Sequence, residues 1–364
     1  MSLLWPLQPA TAAKHKLYKR YLDAWWPVLL QSPATRRVTY LDAFAGPGRY
    51  EGGEEGSPVF GLGRLLNHVA AGRMRLSPDR VRLIFMEKDR ARYEHLLGEL
   101  TGRFGPLEDL PVRVKVCHGE AGVDAGAVLD ELGAWGDPLL AIFDSWGNVN
   151  VPLTLVERVA RNRASEVIVT FGPNWFSRRE GLDAEQLDAV FGGRAYWEPA
   201  SRASSPEERW RAWLACYRDA LRRAGFRYQL QFEVVPRTGQ PLYLVYGTGH
   251  PKGLQVMKEA MWDVDDNDGM SFRDPRTRGA PLPGQQALWG GSGTLPHPEL
   301  LELAQQRLKT GPATVEQLGQ WLLVETARWR ESDAGKAVRQ LRKERLVSVQ
   351  PAGRLTKASV VRLL

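Results

Sequence analysis

The amino-acid sequence predicts an α/β fold with a largely parallel sheet, followed by a small basic domain. Two observations carry this prediction: short β-rich runs alternate with helical segments over most of the 364 residues, and the excess positive charge lies near the end of the chain. Strands that alternate with helices form right-handed crossovers, which place the strands parallel in one sheet. An apolar fraction of 43% supports a sizeable core.

The first elements follow from spacing and from proline. Apolar residues recur at helical spacing from Lys14 to Leu30, with Pro27 late enough to kink or end the helix. Val38–Asp42 is the first predicted strand, and Ser57 followed by Pro58 indicates the start of the next helix. Further strands are predicted at 81–86, 112–116, 139–143 and 166–171, with helices near 91–100, 125–132 and 153–160 between them.

The later part of this domain departs from the alternation. Residues 173–206 are aromatic, arginine-rich and irregular, which predicts an inserted lid. Two consecutive strand-like runs, 228–235 and 242–247, fit a strand reversal at the edge of the sheet. The first domain is therefore predicted to span 1–273, and a Gly/Pro-rich linker is predicted over 274–298.

Residues 299–364 have the pattern of a winged helix, three helices followed by strand-like runs. From Arg328 to the end there are ten bases and three acids, which accounts for the formal net charge of +7. Bases recur at three- and four-residue spacing, opposite Ala337, Val338 and Leu341, as on a recognition helix. The predicted nucleic-acid-binding residues are Lys336, Arg339, Arg342, Lys343, Arg354 and Lys357. A winged helix that docks proteins is the alternative.

Several classes of protein are disfavoured. No apolar run approaches the roughly 20 residues needed to cross a bilayer, and the N-terminus lacks the features of a secretory signal, so a cytoplasmic location is expected. Two cysteines argue against a disulfide framework or a cysteine-based metal site. The six histidines show no spacing that would converge on a metal, and no metal site is predicted.

The turn after the first strand predicts a ligand site. In Asp42-Ala-Phe-Ala-Gly-Pro-Gly48 an acid ends the strand, and two glycines let the backbone approach a ligand. A dinucleotide site would have Gly-x-Gly-x-x-Gly leading straight into a helix, whereas here Pro47 separates the glycines and the helix begins only at Ser57. This favours a cofactor without phosphate, and a strained turn without a ligand is the alternative. The predicted contacts are Asp42, Phe44, Ala45, Gly46 and Gly48.

Polar residues also follow the next three strands. Glu87 is placed to accept hydrogen bonds from ribose hydroxyls. Glu120 is the candidate acceptor for an adenine amine, and a surface acid without a ligand is an equal alternative for Glu120. The fourth strand delivers Asp144-Ser-Trp-Gly147 to the same edge. Ligands collect at the carboxyl ends of such strands. Glu87, Glu120, Asp144 and Ser145 are therefore predicted to join the cofactor site.

Four segments resemble the three-Cys-motif partner (TcmP) family over most of residues 11–270. They are Lys14-His15-Lys16 with the Tyr21–Trp25 helix, Tyr40–Tyr50, Gly56–Pro58 and Val256–Met261. The resemblance implies a Rossmann-like class I methyltransferase sheet, S-adenosylmethionine as cofactor, and a radical-SAM-type protein with three cysteines as partner. The Lys-His element and the glycine turn are also similar to bacterial ribosomal RNA adenine-N6 methyltransferases, which implies a nucleic-acid substrate and a cleft lined by Lys14 and His15.

Two residues after the fourth strand, Asp144 and Trp146, are predicted to be catalytic. Amino-directed methyltransferases use an (Asp/Asn/Ser)-Pro-Pro-aromatic loop, in which Asp144 would hold the target amine and Trp146 would stack on a flipped base. The usual form in the similar family is Asp-Pro-Phe-Gly, and here Ser145 and Trp146 replace the proline and the phenylalanine. The predicted function is SAM-dependent methylation of nucleic acid, at an exocyclic base amine. A non-catalytic SAM- or nucleic-acid-binding partner subunit is the alternative function. For the two residues, the alternative is that Asp144 only holds the cofactor and Trp146 belongs to the core.

Overall fold

The computed structural model describes residues 3–179, 183–277 and 296–364. Contacts divide the chain into two units. The first comprises Met1–Gly253 with Ser271–Ala280, and the second comprises Leu254–Met270 with Pro281–Leu364. Within the described ranges, no helix is long and apolar enough to cross a membrane.

The first unit is built on an eight-stranded sheet of order β3-β2-β1-β4-β5-β7-β6-β8. Its strands are β1 (Val38–Asp42), β2 (Val81–Glu87), β3 (Arg113–His118), β4 (Leu139–Gly147), β5 (Glu166–Phe171), β6 (Tyr228–Val235), β7 (Leu242–Thr248) and β8 (Ser271–Arg273). The first five are parallel, in the order of a doubly wound Rossmann-like sheet. β7 runs antiparallel to both β5 and β6, which is the predicted reversal. The predicted α/β fold with a parallel-dominated sheet is confirmed.

Helices cover both faces of this sheet, as expected for strands buried at every residue such as β1, β2 and β5. They are α1 (Pro9–Leu30), α2 (Ser57–Leu66), α3 (Ala71–Met74), α4 (Arg90–Phe104), α5 (Ala121–Glu131) and α6 (Leu153–Ala160), with a short 3-10 helix at Leu107–Asp109. α1 begins five residues before the predicted start, because Pro9 at its first position is preorganised for a helix. Lys14 and His15 therefore lie in the second turn of the helix rather than at its start.

The segment predicted as an irregular lid is helical. α7 (Pro173–Arg179), α8 (Ala184–Phe191) and α9 (Arg194–Ser201) precede the long α10 (Pro206–Ala224). Phe176, Phe191 and Trp197 are buried, and their rings lie 5.3–6.0 Å from that of Trp213 on α10. These three aromatic residues thus belong to the core. Trp175, by contrast, is 38% exposed.

The second unit combines helices with a small antiparallel sheet. Its elements are α11 (Pro251–Val264, from Leu254 onward), α12 (Pro298–Lys309), β9 (Ala313–Thr314), α13 (Val315–Glu325), α14 (Asp333–Lys343), β10 (Val347–Gln350) and β11 (Val360–Leu363). The three strands have the order β10-β11-β9. Leu318, Leu322 and Leu341 are among the fully buried residues of its core.

The division by contacts differs from the boundary predicted after residue 273. Lys258 of α11 is fully buried, and its ammonium donates to the carbonyls of Leu323, Thr326 and Trp329 at 2.6–2.8 Å. The indole of Trp262 donates to the Arg328 carbonyl at 2.7 Å. These contacts anchor α11 in the second unit. Most of the predicted linker, residues 278–295, lies outside the described residues.

Candidate active site

A pocket lies at the carboxyl ends of β1 and β4, where the strand order reverses and where ligands bind in doubly wound sheets. One face of α1 and the turn after β1 complete its walls. The predicted residues that line it are Lys14, His15, Asp42, Phe44, Ala45, Gly46, Gly48, Asp144 and Trp146. The pocket therefore brings together most of the predicted site. Glu87, Glu120 and Ser145 are not among its lining residues.

The two glycines of the turn have different roles. Gly46 and Gly48 have φ of +65° and +84°, the left-handed region that favours glycine. A Cβ on Gly46 would meet nothing closer than the Trp5 ring at 3.9 Å, so a larger side chain there would enter the pocket. A Cβ on Gly48 would lie 2.9 Å from Leu96. Gly46 keeps the pocket open, and Gly48 allows close packing.

Asp42 is a buried acid with an unused oxygen. The residue is 1% exposed, and its Oδ1 accepts a hydrogen bond from the Phe44 amide at 3.3 Å. Within the described part of the chain, Oδ2 has no hydrogen-bond partner. Burial raises the pKa of Asp42 to about 6, against the nearby Ser57 hydroxyl and the Phe44 amide, which lower it. A buried acceptor left unpaired costs about 1–3 kcal/mol, which a ligand with a hydrogen-bond donor would offset.

Glu87 holds the glycine turn through hydrogen bonds with backbone amides. Its carboxylate accepts the Gly46 amide at 2.9 Å on Oε2 and the Asp89 amide at 2.8 Å on Oε1. A carboxylate offers about four acceptor positions, so two backbone donors leave room for ligand hydroxyls. The predicted contact with ribose stays a prediction.

Glu120 and Ser145 lie apart from the pocket lining. The Glu120 carboxylate accepts the Lys88 ammonium at 2.7 Å and the Asn150 amide at 3.1 Å. The Ser145 hydroxyl is buried and has no partner among the described residues. The predicted cofactor contacts of both residues stay predictions. In the described ranges, no group of three or more His, Cys, Asp or Glu is arranged to hold a metal ion.

Asp144 is held by four polar contacts. The Lys14 ammonium lies 2.6 and 2.8 Å from its two oxygens, Thr170 donates to Oδ1 at 2.5 Å, and Tyr18 donates to Oδ2 at 3.1 Å. Burial alone would raise the pKa of Asp144, but the Lys14 charge and these hydrogen bonds hold it below its ordinary value. Asp144 is therefore ionised, and the four contacts fill its acceptor positions.

Trp146 displays its ring at the mouth of the pocket. The residue is 50% exposed, and the Lys14 ammonium lies 4.8 Å from the ring centre. Its φ is +56°, which is rare for a residue with a bulky side chain and costs about 1–3 kcal/mol. Such strain clusters at functional sites, and here it accompanies an exposed aromatic surface next to the buried ion pair.

Sequence reasoning missed a polar face of α1. Thr11 and Tyr18 line the pocket together with Lys14 and His15, at the i, i+3, i+4, i+7 spacing of one helix face. That spacing is visible in the sequence. Burial and then the Lys14 charge lower the pKa of His15 to about 3, so the imidazole is neutral, and its Nε2 lies 3.3 Å from the Tyr50 hydroxyl. Other pocket residues that were missed are Trp5, Arg49, Tyr50 and Ser57.

The predicted basic face of the second unit is present. All six predicted bases are exposed, whereas Ala337, Val338 and Leu341 on the other side of α14 are buried. Polar contacts within the described residues involve Lys336 with Asp333 at 3.0 Å, Lys357 with Glu331 at 3.2 Å, and Arg342 with the Gly353 carbonyl at 2.8 Å.

No family model matches the chain, and no curated protein is significantly similar to it. Solved structures with similarity include EvdMO1 (14% identity, 65% of this chain, 42% of that chain, TM-score 0.34). Others are Trm1 from Pyrococcus horikoshii with S-adenosyl-L-methionine (11%, 67%, 58%, 0.35) and the CurJ carbon methyltransferase (12%, 66%, 57%, 0.34). The chain spans about two fifths to three fifths of the length of these three proteins. Similarity at this level says nothing of the chemistry, which depends on the residues described above.

Proposed function

We propose that this chain is a SAM-dependent methyltransferase. The observation that carries the proposal is the buried, unpaired Oδ2 of Asp42 beside an open glycine turn, at the switch point of a Rossmann-like sheet. S-adenosylmethionine carries hydroxyl and ammonium donors and no phosphate, which suits these acids and this turn. Asp42 and Glu87 would accept its hydrogen bonds, and Gly46 would leave it space. When bound, the cofactor supplies a methyl group on a sulfonium.

The charges of the pocket support a cationic ligand. The ionised Asp144 is paired with Lys14, and Arg49, which also lines the pocket, is paired with Glu99 at 2.7 Å. Among the described residues, Asp42 is therefore the acid of the lining that no cationic side chain balances. A low-dielectric pocket with surplus negative charge favours a sulfonium over a neutral compound of the same shape. The polar face of α1 would then fix the position of Asp144 and close the pocket from one side.

We propose a nucleic acid as the substrate. From α12 onward, the second unit has the order helix, strand, two helices and two strands, which supports the winged-helix interpretation. Its exposed bases suit phosphates. The resemblance to ribosomal RNA adenine-N6 methyltransferases agrees with this substrate. The exposed Trp146 ring would stack on a flipped base. For Asp144 to hold a target amine, one of its four present contacts with Lys14, Tyr18 and Thr170 would have to break.

The need to break a contact of Asp144 before an amine can bind favours a second candidate function. Because the acceptor positions of Asp144 are filled, the chain would serve as a non-catalytic subunit that binds SAM or nucleic acid. A three-Cys-motif radical-SAM-type protein is the partner that the TcmP resemblance suggests.

Two measurements separate these candidates. Calorimetry with SAM tests the pocket, and Asp42→Asn, which keeps the shape but removes the charge, is expected to weaken SAM binding about tenfold. Transfer of labelled methyl groups from SAM to total DNA and RNA tests catalysis. Binding without transfer to any polymer would favour the partner subunit, and absence of SAM binding would contradict the cofactor proposal.

A further inference from the structure

The three side chains that donate to Asp144 differ in how freely they can move away from it. Thr170 lies on β5, is fully buried, and is not among the residues that line the pocket. Tyr18 lines the pocket, but its hydroxyl is fixed to a rigid ring that is 2% exposed. Lys14 also lines the pocket, and its ammonium ends a flexible stem of four carbons. Lys14 is therefore the donor that can leave with the least rearrangement.

Lys14 already has a second partner at the mouth of the pocket. Its ammonium lies over the Trp146 ring, 4.8 Å from the ring centre, while it contacts both oxygens of Asp144. A cation at this distance from the face of a tryptophan is attracted to the ring. The ammonium can therefore leave the carboxylate and still keep a favourable contact.

The contact that Lys14 makes with Asp144 is one that a base amine can replace. An ammonium and an exocyclic amine both present N–H donors, and two of these donors suit the two oxygens of a carboxylate. Adenine and cytosine carry such an amine, whereas the corresponding atom of thymine or uracil is a carbonyl oxygen, which only accepts hydrogen bonds. A base with an amine could thus take the place of the Lys14 ammonium, and uracil could not.

We propose that Lys14 determines specificity by giving way: the exocyclic amine of a base displaces its ammonium from Asp144, while Lys14 keeps its contact with Trp146. This inference rests on the proposed nucleic-acid substrate. In the unbound protein Lys14 blocks the acceptor positions of Asp144, and only a base with an amine replaces what is lost when Lys14 leaves. Lys14 acts on the base through Asp144 and is a positioning residue.

The test measures binding of labelled single-stranded homopolymers to the full-length protein by anisotropy, in RNA and in DNA, without SAM. The measured quantity is the affinity for the adenine or the cytosine polymer divided by that for the uracil or thymine polymer. This ratio cancels the phosphate contacts that the polymers share. Lys14→Met removes the ammonium and keeps an unbranched side chain. Since the amine then has nothing to displace, at least one ratio should rise about tenfold, the effect of one hydrogen bond to a charged group.

The binding is measured at pH 8.5, because burial would raise the pKa of Asp144 once the Lys14 charge is gone. Thr170→Val is the matched control. It removes another contact of Asp144, but on the side of β5 and away from the pocket lining, so its ratios should stay at the wild-type values. Tyr18→Phe tests the competing donor. A rise in Tyr18→Phe without one in Lys14→Met would overturn the proposal, as would equal ratios in Lys14→Met and Thr170→Val.

Lys14→Arg keeps the proposal testable if Lys14→Met does not fold. The guanidinium presents a fixed fork of donors that matches both oxygens of a carboxylate, so it should hold Asp144 more firmly and lower the ratios below the wild-type values. Ratios at or above the wild-type values in Lys14→Arg would contradict the proposal. If the wild type binds none of the polymers, the proposed nucleic-acid substrate is itself wrong. Binding with ratios that no variant changes would instead contradict the role of Lys14 alone.

Discussion

The pocket of the first unit contains buried and paired charges, whereas the basic face of the second unit carries exposed charges. In the pocket, Lys14 and Asp144 are mostly buried, with side chains 3% and 17% exposed, and each depends on the other. On α14, the bases point into water above an apolar side that packs into the core. Charge is therefore a structural element in the first region and a surface property in the second, so the same kind of substitution should have different consequences.

The largest effect is expected at the buried ion pair. Asp144→Ala should lower the free energy of unfolding by about 3–5 kcal/mol, because it leaves the Lys14 ammonium buried and unpaired. If the enzyme reading is correct, methyl transfer should also fall far more than SAM affinity. Chemical denaturation and labelled methyl transfer measure the two effects.

The double variant Lys14→Met with Asp144→Ala is the control, since it removes both charges and should recover much of the lost stability. If the single and double variants are equally unstable, the ion pair is not the cause. Loss of SAM binding in a folded Asp144→Ala protein would assign the residue to the cofactor shell.

The next effect concerns space in the pocket rather than charge. Gly46→Leu should weaken SAM binding at least about a hundredfold, or about 2.7 kcal/mol, because its side chain would extend into the pocket. Gly53→Leu is the matched control: its φ is also left-handed, at +88°, with nothing within 4 Å of the added Cβ. Both variants should lose about 1–2 kcal/mol of stability from the backbone conformation. Equal SAM affinities would contradict the pocket assignment.

Local sequence patterns predicted the basic face of the second unit well and the pocket of the first unit only in part. The amphipathic α14, with buried Ala337 and exposed Arg339, follows from three- and four-residue spacing alone. The alternation of strands and helices likewise predicted the parallel sheet, and the glycine turn predicted where its pocket would lie. These features depend on neighbours in sequence.

The partners within the site could not be predicted in the same way. Lys14 reaches Asp144 across 130 residues and Thr170 reaches it across 26, and no local pattern selects these pairs. The partners of Lys258 could not be predicted either, because an amphipathic helix does not reveal which carbonyls will accept hydrogen bonds from a buried ammonium. The helices of the segment 173–206 could not be predicted either, because an aromatic and arginine-rich stretch does not reveal which of its rings will pack into the core.

A smaller effect should appear as a dependence of stability on pH. Burial lowers the pKa of His15 to about 3, below the ordinary 6.5 that it regains on unfolding. Below pH 6.5 the unfolded chain therefore binds more protons than the folded one, and stability falls as the pH falls. Between pH 6.5 and 5.5 the wild type should lose about 1 kcal/mol more than His15→Gln. The pKa of Asp42, raised to about 6, affects both proteins alike. Identical slopes would mean that folded His15 takes up its proton over the same pH range as in the unfolded chain.

The smallest effect on stability is expected at the basic face of the second unit, whose bases are exposed, in contrast to the buried ion pair of the pocket. Replacing Arg339, Lys343 and Arg354 by Gln should change the free energy of unfolding by less than about 0.5 kcal/mol each, because exposed side chains contribute little. SAM affinity should stay at the wild-type value. Nucleic-acid binding should weaken, and its salt slope should fall by about 0.7 per lost phosphate contact with a single strand. If the triple variant keeps the wild-type slope, the second unit has a partner other than phosphate, and protein docking becomes the better reading of the winged-helix pattern.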